Sequence, residues 1–438
     1  MLPGLTLRRA STMAGIYLSV VLGFLGTVVA ARTFSQHVFS LFAIVIAATG
    51  FFQSLLDLTV EEALVKYGFR YSAQQDWGRF RRLFEGTLVV KLVGATLGAI
   101  GLLILAPFAG DLFGDDSLTT PLMIAAAIPI GQSLEGMAGT ALLLRGRYDV
   151  RSVFLAVSMG LRFTAIVVGS RFGLTQTVLA IVLAQFVATA AVGTAGWIAF
   201  HRFPQAPTRA LGEHRREILR FVWQSSAATG VLSIRGQLAP LLLGIVTSPS
   251  QVGFFRIAQA PQQGLTAVSA PARLVLLTEQ TRDWEHGRRR VVLAGVRRYS
   301  LIAAGLMVVA VPIFWWLMPD LIRWIYTAKY LPGTDASRVF LLAAAVQFVV
   351  GWTKSFPVSI GRPNLRIVTH GVESIVVLPL VCVLGAAYGA TGAAIAVLVG
   401  MCVFAGMWLG IFLRIPREDG PEPTLVDVVS AGPEAIVR

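Results

Sequence analysis

ATGVLSIRGQLAPLLLGIVTSPSQVGFFRIAQAPQQG, residues 228–264, decides how the rest of the chain is read. It spells two apolar helices joined by a tight Ser-Pro-Ser turn, and each helix carries one arginine inside an oily run, Arg235 and Arg256. An arginine at the centre of a membrane helix costs about 3 kcal/mol on insertion scales, and such residues face a bundle interior or a water-filled cavity. A cationic cavity in a membrane protein suits an anionic cargo.

The bulk composition agrees with a membrane setting. Of 438 residues, 55% are hydrophobic and 14% charged, with a mean hydropathy of +0.71, so the chain is too apolar for a soluble protein and far too long for a single anchor. A net charge of +14 would suggest nucleic acid in a soluble protein, but here its location along the chain must be settled first. The two cysteines, Cys382 and Cys402, both lie in apolar runs, which argues against a disulfide framework or a thiolate metal site. Arg8 and Arg9 precede a run too long for a signal-peptide core, so that run reads as a retained first helix.

Hydrophobic runs long enough to cross the hydrocarbon core fall at roughly 10–31, 36–57, 84–107, 120–144, 152–170, 174–200, 221–246, 251–272, 299–318, 337–360, 366–387 and 390–413. They predict twelve spans. With the N-terminus inside, the inner segments hold 28 of the 37 basic residues, the outer segments 5, and the helices Lys91, Arg162, Arg235 and Arg256. Loops retained in the cytoplasm carry excess Lys and Arg, so both termini are expected there, and topology accounts for most of the net charge. The inner loops at 58–83 and 273–298 each contain an Asp-Trp pair (Asp76-Trp77, Asp283-Trp284) and read as short surface helices. The tail from 414 to 438 reads as a disordered cytoplasmic end.

The chain repeats itself. Ser11-Thr-Met-Ala-Gly aligns with Ser225-Ser-Ala-Ala-Thr-Gly, Gly146-Arg147 with Gly361-Arg362, and Phe172-Gly173-Leu174-Thr175 with Tyr388-Gly389-Ala390-Thr391, always near an offset of 215. Six spans per half is an even number, so the halves relate by an axis along the membrane normal. The expected organisation is a six-helix lobe over 1–200, a cytoplasmic linker over 201–220, a second lobe over 221–413, and the tail.

Arg235 lies near mid-span, beyond easy snorkelling, and faces either a polar lumen or an internal ion pair. Arg256 shares a helix face with Gln259 and Gln263, at i+3 and i+7. Arg162 and Lys91 lie about two turns from an interface, with Glu135 the expected counter-ion for either, and a structural salt bridge is the plainer reading there. His370 and Glu373 share a face and could exchange a proton near neutral pH, although an interfacial polar pair needs no such role. Glu61 and Glu62 read as solvated loop charges. No G-x-x-x-x-G-K-[ST] loop exists for ATP, and no long outer loop exists to house a polymerase or glycosyltransferase site.

The run Leu241-Leu-Leu-Gly244, then Val252-Gly253-Phe254-Phe255 and Ala258, resembles the start of the second half in bacterial polysaccharide repeat-unit flippases of the multidrug/oligosaccharidyl-lipid/polysaccharide exporter superfamily. Leu56-Asp57-Leu58, Ala63-Leu64-Val65, Asp76-Trp77 and Arg81-Arg82 are similar to that family's stretch after the second helix. Gly361-Arg362 and Gly389-Ala-Thr-Gly392 resemble its later helices. The resemblance implies an all-α polytopic protein of two six-helix lobes, alternating access, and transfer of a polyprenyl-pyrophosphate-linked oligosaccharide across the bacterial inner membrane with its lipid tail left in the bilayer. Ala239 stands where relatives often carry an acid, so no role transfers there. The two further helices of lipid II flippases are absent. On this reading Arg235, Arg256, Arg162, Lys91, Gln259 and Gln263 bind cargo, while His370, Glu373 and Glu135 are the candidates for coupling to H+ or Na+. No cofactor and no nucleic acid is implied; the partners are the phospholipid bilayer, the lipid-linked oligosaccharide, and polysaccharide polymerase and glycosyltransferase machinery. The rivals are a cation-coupled multidrug antiporter, which suits buried carboxylates better than arginines, and a non-transporting scaffold with the same fold.

Overall fold

A computed structural model of the chain describes residues 3–56, 60–212, 214–362 and 364–415. The expected disordered tail, from 416 onward, and the Asp57-Leu58 pair lie outside the described residues. Among the described residues the regular structure is entirely helical. The helices are α1 (Pro3–Thr33), α2 (Gln36–Leu56), α3 (Val60–Ala73), α4 (Trp77–Leu105), α5 (Ala109–Phe113), α6 (Thr119–Ala125), α7 (Ile128–Leu144), α8 (Tyr148–Gly169) and α9 (Leu174–His201). They continue with α10 (His214–Val246), α11 (Pro249–Ala258), α12 (Ala260–Glu285), α13 (Arg289–Ile325), α14 (Thr334–Val349), α15 (Phe356–Ser359) and α16 (Asn364–Arg414).

These make twelve passes. α1, α2, α4, α8, α9, α10 and α13 are single passes. α6 with α7, α11 with α12, and α14 with α15 are passes interrupted by a bend or a short 3-10 turn. α16 is two passes, because Gly389 (φ 59°, ψ −137°) breaks it in a conformation that a side chain would strain. Exposed tryptophans lie near both ends of the bundle, Trp197 and Trp223 towards one and Trp315, Trp316 and Trp324 towards the other, as expected of residues at a membrane–water boundary.

The internal repeat reaches the backbone. Gly146 and Gly361, aligned in the sequence, share a φ of 69°, and Gly173 and Gly389 both take positive φ (115° and 59°) at the turn between the last two passes of each half. Four connections thus rest on the one residue type that enters this region freely. In the second half Gln251 completes the turn by accepting a hydrogen bond from the Ala390 backbone N–H at 2.9 Å.

Two surface stretches differ from their expected form. The 273–298 stretch holds no separate short helix: α12 and α13 run through it and turn at His286–Arg288, where Gly287 has φ 73°. In the 58–83 stretch α3 is separate, but α4 already begins at Trp77, capped by Asp76 accepting from the Arg79 N–H at 3.1 Å. The two Asp-Trp pairs are therefore not equivalent, since one caps a helix and the other lies inside α12.

The apolar core is divided in a way that fixes the shape. At the end opposite the termini, one buried cluster draws on both halves: Ala30, Phe34 and Phe39 pack with Phe254, Tyr326, Tyr330 and Phe340. At the basic end, which carries both chain ends, there are two separate clusters. One joins Leu64, Tyr67, Phe80 and Phe203 to Ile218 and Val222 of α10; the other joins Val296, Trp352, Phe356 and Trp408. The lobes share a core at one end; at the other the C-terminal lobe has a cluster of its own, while the first turns of α10, which opens the second lobe, pack into the N-terminal cluster.

Candidate functional site

Where the lobes lose their shared core, a cavity of about 640 Å3 opens. The wall from the N-terminal lobe is α1 (Met13 to Val20); the facing walls are α10 (Gly236, Gln237), the α11–α12 pass, and Gln347 of α14. Pro261 produces this geometry. Without a backbone N–H it cannot continue α11, so the pass bends at Gln259 and Ala260. The bend turns Arg256, Gln259, Gln262 and Gln263 towards the same space.

Arg256 is the cation of this cavity. Its Nη1 donates to Gln259 Oε1 at a long 3.5 Å, and among the described residues no carboxylate lies within ion-pair distance of it. A guanidinium offers five donors in a rigid fork that matches phosphate and carboxylate geometry. Five glutamines line the same cavity, of which Gln262 donates to Gln347 at 3.0 Å. The sequence reading found Gln259 and Gln263 but missed Gln237, Gln262 and Gln347. An amide in the middle of an apolar pass was the available signal, because an unpaired polar group there is unfavourable unless it lines a polar space.

Arg235 is placed differently. It is ion-paired with Glu373 of α16, and Glu373, fully buried, also takes His370 Nδ1 at 2.9 Å. His370 stacks on Phe404, with ring centroids 4.7 Å apart. Of the two alternatives left open for Arg235, the structure shows the internal pair, and its neighbours Gly236 and Gln237 line the cavity instead.

The N-terminal lobe encloses a second polar group. Arg162 of α8 donates to Gln185, which donates in turn to Glu135 at 2.7 Å and to Thr189 at 3.0 Å. Gln132 lies between Gln53 and the Arg162 guanidinium. Among the described residues Glu135 thus meets Arg162 through the bridging Gln185 and not in a direct ion pair. Lys91 pairs instead with Glu61, at 2.9 Å, which corrects both the expected Glu135 partner and the reading of Glu61 as a solvated charge. That pairing is tertiary: Glu61 opens α3, Lys91 is on α4, and the two face a small cavity also lined by Gln53 and Gln132. Arg162 and Arg256 both border a further apolar pocket of about 260 Å3 between α1, α2 and α8.

This architecture defines a class: a multi-pass membrane protein of two six-helix lobes around a central polar cavity, the fold of the multidrug/oligosaccharidyl-lipid/polysaccharide exporter superfamily. The chain belongs to the polysaccharide biosynthesis protein family, which it matches over residues 9–276. It is 24% identical over 341 residues, 72% of this chain and 91% of the relative, to the inner membrane protein YghQ of Escherichia coli (strain K12). Among solved structures, it is similar to an inward-facing multidrug resistance MATE family transporter (TM-score 0.71, 13% identity, 92% of this chain and 99% of that one). It is also similar to the lipid II flippase MurJ in an inward closed conformation (TM-score 0.66, 12% identity, 97% of this chain and 90% of that one).

Proposed function

We propose that the protein is a secondary-type flippase. It moves a polyprenyl-pyrophosphate-linked oligosaccharide from the cytoplasmic to the outer leaflet of a bacterial inner membrane by alternating access, with both termini cytoplasmic. The observation that carries this reading is Arg256, a cation without a carboxylate partner among the described residues, set among five glutamines in a cavity between two lobes. The guanidinium holds the pyrophosphate by charge-assisted hydrogen bonds, and the amides exchange hydrogen bonds with sugar hydroxyls. Family membership supplies the polysaccharide setting. The division of the core supports the transport step: the lobes share a broad core at one end and are linked at the other through the first turns of α10, an arrangement with a hinge direction built in.

Arg162, behind the pocket it shares with Arg256, extends the cationic path into the N-terminal lobe. Ion coupling falls to Glu373 with His370, and secondarily to Glu135; a proton taken up on Glu373 would release Arg235 from its partner. Glycosyltransferases supply the cargo inside and a polymerase consumes it outside.

The test is glycan export in cells that depend on this protein, carrying Arg256→Ala or Arg256→Lys at matched membrane levels. The reading expects alanine to abolish surface glycan and accumulate lipid-linked precursor on the inner face, with lysine restoring part of the export. Unchanged export with alanine overturns it.

A further inference from the structure

The cations that the passes carry into the membrane are matched almost one for one, and the charge left over lies in the cavity. Lys91 is paired with Glu61, Arg235 with Glu373, and Arg162 reaches Glu135 through Gln185. Among the described residues Arg256 alone of these four meets no carboxylate, and it is also the one charged side chain in the cavity lining. The rest of that lining is neutral: five glutamines, one threonine, Tyr17 and apolar groups. Gln237 and Gln263 make no side-chain hydrogen bond among the described residues, and the single bond from Gln262 to Gln347 leaves both of those amides with donors and acceptors to spare. Tyr17, on the α1 wall across from the amides, has no hydrogen-bond or ring partner among the described residues.

Resting on the cargo reading above, we infer that the head this cavity accepts is built of sugars without acidic groups, recognised through their hydroxyl and acetamido groups. Each phosphate of the linking diphosphate is ionised at neutral pH, so the link alone brings more negative charge than Arg256 balances. A proton on Glu373, by freeing Arg235 from its partner, adds one positive charge to the interior, and the second phosphate consumes it. Among the described residues no cation then remains for a uronic acid or a phosphate substituent, which would be desolvated without a counter-charge. Neutral sugars meet the opposite situation. An amide both donates and accepts, as hydroxyl and acetamido groups do, so the spare amides complete hydrogen bonds with either. The Gln262–Gln347 contact is itself the amide–amide bond that an acetamido group would make. The negative face of the Tyr17 ring suits the C–H face of a sugar on the other wall.

The experiment is binding to the full chain in a neutral detergent at neutral pH, with two probes: farnesyl diphosphate linked to N-acetylglucosamine, and the same lipid diphosphate linked to glucuronic acid. The variants are Gln263→Lys, which adds a cation at an exposed position that makes no side-chain hydrogen bond, Gln347→Lys, which adds one from another wall, and Arg256→Ala. The wild-type chain should bind the N-acetylglucosamine probe at least about tenfold more tightly than the glucuronate probe, an uncompensated charge being the discriminating element. The lysine variants should cut that preference at least about threefold by strengthening the glucuronate probe, and Arg256→Ala should weaken both probes. If the wild type binds the two equally while Arg256→Ala weakens both, the inference fails and the cargo reading stands. If the preference exists but neither lysine variant narrows it, shape and not charge sets it, and the inference is overturned. If Arg256→Ala changes neither probe, the cargo reading fails and the inference with it.

Discussion

Arg32 and Lys329 hold the joined end of the molecule reciprocally, each reaching across to the helix end that the other lobe presents. Arg32, at the end of α1, donates from Nε to the Ile325 carbonyl at 2.7 Å and also to the Trp324 carbonyl. Lys329 donates to the carbonyls of Phe34 and Arg32, and the Tyr330 hydroxyl to that of Ala31 at 3.0 Å. Last-turn carbonyls are the groups a helix cannot satisfy internally, and they carry its partial negative charge. The clasp therefore caps two helices and ties two lobes with the same bonds.

Removing both cations should open this end. The two side chains make four hydrogen bonds across the lobes; at about 1 kcal/mol net each, Arg32→Ala with Lys329→Ala should raise the population open at this end by up to roughly a thousandfold, 1.4 kcal/mol being one decade. Distance measurements between spin labels on α1 and α13 would read it; an unchanged distribution refutes the clasp.

Gly253 sits where α11 meets α2, and a Cβ there would come within 2.2 Å of the Ser40 hydroxyl and 3.4 Å of its Cα. Gly253→Val should wedge the lobes apart, destabilising the joined end by about 1–3 kcal/mol as overpacked contacts do. The same label pair should report a broadened distribution, and pairing with Ser40→Gly should relieve part of it.

Breaking the Arg235–Glu373 pair leaves a fully buried carboxylate without its arginine. Arg235→Ala should destabilise the fold by about 3–5 kcal/mol, whereas Arg235→Met with Glu373→Met should recover most of that, since a buried pair exchanged for apolar residues is often neutral. Thermal unfolding in detergent separates the two outcomes. Loss of export by Arg235→Ala alone therefore says little about cargo, which is why Arg256 is the diagnostic position.

Tyr67, on α3 outside the membrane-spanning segments, has its phenol pushed up to about 12 by burial and by its hydrogen bond to Glu217 at 3.1 Å. The folded state thus binds the phenolic proton more tightly than the unfolded chain, whose tyrosine titrates near ~10. This contribution is fully present below pH ~10 and is lost as pH rises through ~12. Tyr67→Phe should remove that part of the alkaline instability while leaving the neutral-pH fold intact. Unfolding midpoints across that window, compared with wild type, provide the check.

How much was legible in the sequence follows from which interactions are local. The twelve passes, the concentration of arginine on alternate connections and the repeat marked by Gly146, Gly173, Gly361 and Gly389 were all readable, because span length, loop charge and left-handed turns are properties of short segments. Arg256 with Gln259 and Gln263 was readable for the same reason, since helical spacing alone puts them on one face. The partners of the buried charges were not. Arg235 and Glu373 lie on passes distant in the chain, Lys91 meets Glu61 through the turn of α3 onto α4, and Gln185 stands between Arg162 and Glu135. In a low-dielectric interior each charge takes whichever complementary group the packing brings within about 3 Å, and packing is decided by many weak apolar contacts that no single segment encodes. The sequence by itself determined that cations are buried in a two-lobed membrane bundle. Only the tertiary structure decided which of them has a carboxylate for a partner and which faces the cavity without one.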